Sequence, residues 1–190
     1  YYEIEGSVLA EDDFGGIVKG LDVDICVKLD KAQKQENAKK FEPKVLSFDI
    51  ESEIGDVGSG EVYMIGLYGR DFTKVITWKS ASKKHSYVET VKDEKEMITR
   101  FIESVKEYDP DVLCGYFSDG YDLAFLRERA KKYKMKLTLG LDHKDVSFSR
   151  GGGIASGKMC GIVHVDIYKF IASAFSQYLS GESLSLNDVA

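Results

Sequence analysis

The chain has 190 residues, 43% of them hydrophobic, a formal net charge of −6 and an isoelectric point near 5.2. This composition predicts a globular protein with one sizeable core and a small appendage, and it excludes a surface that grips nucleic acid by bulk positive charge while leaving room for an acidic, metal-dependent nuclease site. The three cysteines lie far apart and the histidines lack metal-ligand spacing, so the sequence indicates neither a disulfide framework nor a zinc site. It contains no apolar run long enough to span a membrane and no signal peptide, which predicts a cytoplasmic location.

The first forty residues predict a small β-rich segment. YEIEGSVLA and GLDVDICVKLD are strand-like runs separated by turn residues, and the polar stretch KAQKQENAKKFEP predicts an exposed connection. The chain opens on a strand and closes on SLSLNDVA, which is typical of a capped helix cut after one turn. We therefore expect a piece of a longer polypeptide.

From Lys44 onward, strands and helices alternate. KVLSFDIES, EVYMIGLYG, KVITWKS and DVLCGY predict strands, while DEKEMITRFIESVKEYD and YDLAFLRERAKKYKM predict helices. A β-hairpin around a glycine loop and a helix over DIYKFIASAFSQYL follow. The pattern predicts an α/β domain on a mixed sheet. The basic run RERAKKYKMK could follow phosphates, but a solvated helix face is the favoured interpretation.

The glycine loop itself contains a near match to a phosphate-binding motif. From Gly152 the chain reads G-x-x-x-x-G-K, but the residue after Lys158 is Met159, whose thioether does not bind magnesium as the expected Ser or Thr would. The flanking segments DVSFSR and MCGIVHVDIY are both strand-like. A hairpin is therefore favoured over a nucleotide-binding loop.

Three carboxylates mark a candidate site. Asp49 and Glu51 alternate with apolar residues, so a strand directs both to one face, where they repel unless a divalent cation joins them. A solvated edge strand is the alternative. Asp122 starts a helix after a short strand and turn, where open α/β sheets present functional groups. The helix dipole alone could also favour Asp122, and Asp119 could be the N-cap.

FDIES, followed some seventy residues later by Y-x-x-D-x-x-D-x-x-x-L, resembles the first and second exonuclease motifs of archaeal family B DNA polymerases. The resemblance extends to G-x-V-H-V-D-x-Y and S-L-x-x-V-A. It implies an RNase H-like, DEDD-type exonuclease fold, with a mixed sheet flanked by helices and a β-hairpin. The exonuclease domain would cover residues 42–190, and residues 1–41 would be a β-rich remnant of the N-terminal domain plus a linker.

The resemblance also implies a 3′→5′ proofreading exonuclease that acts on a DNA primer terminus or single-stranded DNA, alongside the remainder of the polymerase chain. By its implication, Asp49 bridges two Mg²⁺ or Mn²⁺ ions, Glu51 binds one of them and positions the attacking water, and Asp122 holds the second. The alternative is a non-catalytic structural or single-strand-binding module of the same fold with a decayed site.

The match has departures. The family's third motif, Y-x-x-x-D, is expected beyond this chain, so we expect weak activity from the fragment alone, and Asp166 is interpreted as a structural residue at a strand-to-helix junction. Phe117 and Gly120 replace residues that are usually Asn in this family. Phe117 could stack on a base or lie in the core. Tyr116, Phe117 and Ser118 are the candidate DNA contacts.

Overall fold

The computed structural model describes residues 1–36, 40–80, 85–149, 155–175 and 184–189. The tip of the predicted glycine loop and the end of the predicted C-terminal helix lie outside these ranges. The strands are β1 (Tyr2–Val8), β2 (Val27–Lys34), β3 (Val45–Ser52), β4 (Val62–Gly69), β5 (Phe72–Thr77), β6 (Val88–Thr90), β7 (Val112–Gly115), β8 (Ser147–Phe148), β9 (Gly157–Lys158) and β10 (Val163–Asp166). The helices are α1 (Glu94–Tyr108), α2 (Asp122–Lys132), α3 (Ile167–Ala174) and α4 (Leu186–Val189).

The main sheet has the strand order β10–β7–β3–β4–β5–β6. β3 is parallel to β7, which is parallel to β10. β4 runs antiparallel to both of its neighbours, β3 and β5, and β6 is parallel to β5. The predicted α/β domain on a mixed sheet is confirmed. This order places β3, the strand that carries the D-x-E pair, between neighbours on both sides.

Helix α1 covers one face of the sheet, as its three- and four-residue apolar spacing predicts. It begins where the Asp93 carboxylate accepts a hydrogen bond from the Glu96 N–H at 2.8 Å, and it packs against β4 and β5. Asp109 ends it in a left-handed conformation with φ 51°. The core contains Leu46, Phe48, Ile50, Ile65, Ile76, Met97, Ile98, Phe101, Val105, Leu123, Phe125 and Leu126.

A buried ion pair joins α1 to α2. The Glu94 carboxylate accepts hydrogen bonds from the Arg129 guanidinium, from the Val62 N–H at 2.8 Å and from the Tyr133 hydroxyl at 2.7 Å. Both charged side chains are almost fully buried. Because a buried charge without its partner is costly, this pair holds α2 against the start of α1.

The N-terminal strands form a separate antiparallel sheet. β1 pairs with β2, and the Asp22 N–H donates to the Leu141 carbonyl oxygen at 2.7 Å, which ties this segment to the main body. The division into an N-terminal remnant with a linker (residues 1–41) and an exonuclease domain (residues 42–190) stays a prediction.

The predicted glycine-loop hairpin exists, but its second strand was misplaced. β8 pairs antiparallel with β9, which consists of the G-K of the motif. The MCGIVHVDIY segment instead supplies β10, which joins the main sheet parallel to β7. The short strand β6 was not predicted.

Candidate active site

Strand β3 directs two carboxylates to one face of the sheet. Phe48 and Ile50 are buried, while Asp49 and Glu51, which alternate with them, are exposed. The period-two alternation predicted from FDIES is therefore confirmed. Partial desolvation and the adjacent charge of Glu51 both raise the pKa of Asp49. Two like charges thus share one patch of the strand.

Asp122 lies beside this pair as the first residue of α2. β7 stops pairing with β3 at Ser47, and the Asp122 carboxylate meets the freed backbone of β3, where Oδ1 accepts a hydrogen bond from the Ile50 N–H at 3.2 Å. The side chain is buried, and burial, followed by the charge of Asp49, raises the pKa of Asp122 from 3.8 to about 7. The sheet topology therefore brings together carboxylates that are about seventy residues apart in sequence.

The three carboxylates are the kind of ligand that a divalent cation prefers. Asp49, Glu51 and Asp122 supply hard oxygen ligands, and within the described ranges no Lys or Arg forms an ion pair with any of them. In the same part of the chain, no three His, Cys, Asp or Glu side chains are arranged around one point that could hold a metal ion. A divalent cation would supply the positive charge that these three carboxylates lack.

The two carboxylate segments are also joined by a pair of hydroxyls. The Tyr121 hydroxyl lies 2.8 Å from Ser52 Oγ, and the Tyr121 ring packs on Phe125 with centroids 5.3 Å apart. Tyr121 immediately precedes Asp122, and Ser52 immediately follows Glu51. This contact holds the end of β3 against the start of α2.

The loop between β7 and α2 contains the three candidate DNA contacts in different environments. Phe117 is 37% exposed, and the half-buried Tyr116 donates its hydroxyl hydrogen to the Leu184 carbonyl oxygen at 2.6 Å. Ser118 is fully buried, with Oγ 3.1 Å from His164 Nε2. This burial removes Ser118 from the surface that a DNA strand could contact.

Asp119 is the centre of a buried polar network rather than the N-cap of α2. Its carboxylate accepts hydrogen bonds from the Gly157 N–H and Lys169 Nζ, both at 2.6 Å, and its Oδ1 lies 3.0 Å from His164 Nδ1. Burial alone would raise the pKa of Asp119, but His164, Lys169 and the Gly157 N–H hold it at about 2. The N-cap expectation was wrong because these long-range partners take the carboxylate.

Asp166 binds the backbone of the loop between β7 and α2. Its carboxylate accepts hydrogen bonds from the N–H groups of Phe117 at 3.0 Å and Asp119 at 3.1 Å, and it also caps α3 through the Lys169 N–H. The structural interpretation of Asp166 at a strand-to-helix junction therefore agrees with its contacts.

The residues missed in the sequence belong to this network. Lys169 Nζ also donates to the Ala155 carbonyl oxygen at 2.9 Å, and a Cβ on Gly157 would lie 2.4 Å from Leu123 Cδ2. Gly157, the second glycine of the G-x-x-x-x-G-K match, thus packs closely against Leu123 of α2. The alternation V-H-V-D, which puts His164 on the face of Asp166, was the one available signal.

Three of the six basic residues in the run RERAKKYKMK are paired with carboxylates. Arg129 is buried with Glu94, Arg127 Nε lies 3.1 Å from an oxygen of Asp145, and Lys131 pairs with Glu128 at 2.6 Å. The favoured interpretation, a helix that is not a phosphate track, agrees with these contacts.

A family model described as "DNA polymerase family B, exonuclease domain" matches residues 2–189. A DNA polymerase from Pyrococcus glycovorans is 39% identical over 133 residues, which are 68% of this chain and 17% of that protein. One from Thermococcus hydrothermalis is 41% identical over 133 residues, 68% of this chain and 8% of that protein. The chain thus spans less than a fifth of these relatives.

A solved structure supports the fold. The family B DNA polymerase from Pyrobaculum calidifontis superposes with a TM-score of 0.68 at 24% identity, over 92% of this chain and 20% of that chain. This agrees with the RNase H-like architecture implied by the motifs. In the ranges that the structure describes, no helix has the length and apolar character needed to cross a bilayer.

Proposed function

Because the chain belongs to the exonuclease-domain family of family B DNA polymerases, with archaeal relatives, we propose that it is the 3′→5′ proofreading exonuclease domain of such a polymerase. Its substrate is the 3′ end of a DNA primer or of single-stranded DNA, delivered by the remainder of the polymerase chain. The observation that supports this most directly is the approach of Asp122 to the backbone of β3 between Asp49 and Glu51.

We assign Asp49, Glu51 and Asp122 as the residues that hold two Mg²⁺ or Mn²⁺ ions. Bound in such a site, divalent cations lower the pKa of an attacking water and stabilise the leaving 3′ oxygen. The chain's own contribution is to place three unpaired carboxylates on two elements that the main sheet and the Tyr121–Ser52 contact keep together. The exposed Glu51 is the carboxylate that can also orient the attacking water.

The division of the chain follows from the same proposal. Residues 1–41 are a remnant of the N-terminal domain plus a linker, and residues 42–190 form the exonuclease domain. We expect little activity from the 190-residue chain alone, because the third motif, with its fourth carboxylate, is expected further along the polypeptide. Vigorous metal-dependent degradation of single-stranded DNA by this chain would contradict that expectation.

The second candidate is a non-catalytic module with a decayed site. It is favoured by one observation, that no three candidate ligands surround one point in the described part of the chain. Such a module would bind single strands or serve only as structure.

A primer-degradation assay separates the two candidates. A polymerase chain that contains this domain should shorten a primer with a mismatched 3′ end in the presence of Mg²⁺, and Asp49→Ala should abolish shortening while leaving nucleotide addition intact. Asp30→Ala, an equal change of charge in β2, serves as the matched control. Shortening that is unchanged in Asp49→Ala would sink the enzymatic assignment.

A further inference from the structure

Lys169 of α3 makes three hydrogen bonds to two other parts of the chain. Its Nζ donates to Asp119 Oδ2 at 2.6 Å, in the loop between β7 and α2. It also donates to the Ala155 carbonyl oxygen at 2.9 Å and to Ser156 Oγ at 3.0 Å, directly before β9. An ammonium group has three donors, and here each of them has an acceptor. Lys169 therefore joins α3, the β8–β9 hairpin and the loop at one point.

The carboxylate that Lys169 binds is buried. The Asp119 side chain is 3% exposed, and that of Lys169 is 25% exposed. Through its other oxygen, Asp119 accepts the Gly157 N–H at 2.6 Å and lies 3.0 Å from His164 Nδ1. Because a charge left in the interior without its partner is costly, the ammonium and the carboxylate fix each other's position.

Helix α3 holds Asp119 by its backbone as well as by its side chain. The Asp166 carboxylate, at the N-cap of α3, accepts a hydrogen bond from the Asp119 N–H at 3.1 Å, while Lys169 binds the carboxylate of the same residue. The carbonyl oxygen of the residue before Asp119 accepts the Leu123 N–H at 2.9 Å, which joins the loop to the first turn of α2. A shift of Asp119 would therefore move the start of α2, where Asp122 lies.

We propose that Lys169 is a positioning residue for the proposed metal site, because its hydrogen bond to the Asp119 carboxylate sets where Asp122 lies relative to β3. This inference rests on the proposed function and deepens it. Asp122 accepts a hydrogen bond from the Ile50 N–H of β3 at 3.2 Å, so a movement of the loop changes the distance between the proposed ligands on α2 and on β3. Residues that orient metal ligands without binding the metal typically change its affinity about 10- to 100-fold. Lys169 acts through the backbone of the loop and takes no part in the reaction.

The test is calorimetric titration of Mn²⁺ into the 190-residue chain and its variants, at a temperature at which circular dichroism shows each protein folded. Lys169→Met, which removes the charge from a side chain of similar length, should raise the Kd for Mn²⁺ about 10-fold. By charge alone, the loss of a nearby cation would favour Mn²⁺, so a weaker affinity indicates a displaced ligand. Lys169→Arg should bind Mn²⁺ nearly as the wild type does. Lys131→Met, which breaks an exposed lysine–carboxylate pair of the same 2.6 Å length, is the matched control and should leave Kd unchanged.

A double variant separates positioning from folding. Asp119→Asn combined with Lys169→Met has the net charge of the wild type and leaves no carboxylate buried without its ammonium partner. It should therefore regain the free energy of unfolding in urea that Lys169→Met alone loses. It still lacks the link between α3 and the loop, so its Kd for Mn²⁺ should stay about 10-fold above that of the wild type.

The outcomes distinguish the positioning role from the proposed function. An unchanged Kd in Lys169→Met, or a double variant that binds Mn²⁺ as the wild type does, would overturn the positioning role and leave the proposed function standing. No binding of Mn²⁺ by the wild type would overturn the proposed metal site, and the positioning role with it.

Discussion

Replacing Asp122 by Asn should stabilise the metal-free protein, and the gain should depend on pH. Asp122 is buried and its pKa is raised from 3.8 to about 7. Between about pH 4 and pH 7, therefore, the Asp122 carboxyl keeps its proton in the folded state and has lost it in the unfolded state. The free energy of unfolding therefore falls as pH rises from about 4 to about 7 and is level above. Asn is uncharged and keeps an oxygen to accept the Ile50 N–H.

The size of the effect follows from the pKa. The shift from 3.8 to about 7 corresponds to about 4 kcal/mol at 1.36 kcal/mol per pKa unit. Of this, about 3 kcal/mol should develop between pH 5 and pH 8. Urea unfolding in EDTA at the two pH values should show the Asp122→Asn protein gaining that amount over the wild type. Parallel stability curves for the two proteins between pH 5 and pH 8 would refute the reasoning.

A second variant tests the cause of the shift. The charge of Asp49 is the second largest contribution after burial, so Asp49→Asn should reduce the pH dependence of the wild type without abolishing it. Manganese should raise the free energy of unfolding of the wild type above its value in EDTA. A ligand that binds only the folded state, at a concentration one hundred times its Kd, adds about 2.7 kcal/mol. Asp122→Asn should lose most of that addition.

Three further predictions concern the framework of the site. Glu94→Gln should lower the free energy of unfolding in urea by about 3–5 kcal/mol because it leaves Arg129 buried without its charge partner; a loss below 1 kcal/mol would contradict this. Gly157→Ala should cost about 1–3 kcal/mol in thermal unfolding because its Cβ would overlap Leu123, and an unchanged Tm would show that the hairpin is not packed there. Asp119→Asn should lower the free energy of unfolding at pH 7 by about 2 kcal/mol. The Asp119 carboxylate has a pKa of about 2 in the folded state, so its contribution to stability is complete above the ordinary pKa of 3.8 and is lost as pH falls toward 2. A stability difference between the two proteins that stays constant from pH 7 to pH 3 would argue against this.

The features that the sequence predicted well are those with a local physical cause. The faces of β3 follow from the alternation around Asp49 and Glu51, and α1 follows from its apolar spacing and from the acidic residues in its first turn. The approach of Asp122 to β3 needed the order of strands, which the resemblance implied and residue patterns alone left open.

The features that were missed depend on partners distant in sequence. The sequence suggested Asp119 as an N-cap, but α2 begins only at Asp122, and His164 and Lys169, about fifty residues later, contact the Asp119 carboxylate. β9 consists of a glycine and a lysine, which have low strand propensity, and it is placed by the hydrogen bond from the Gly157 N–H to Asp119. No local pattern reports such contacts.

The central claim is that Asp49, Glu51 and Asp122 together hold divalent cations. Calorimetric titration of Mn²⁺ into the 190-residue chain, into Asp49→Ala and into the control Asp30→Ala tests it most directly. The account predicts that the wild type and the Asp30→Ala protein bind Mn²⁺ alike and that Asp49→Ala loses this binding. Binding of equal strength in all three proteins, or no binding in any of them, would contradict the claim.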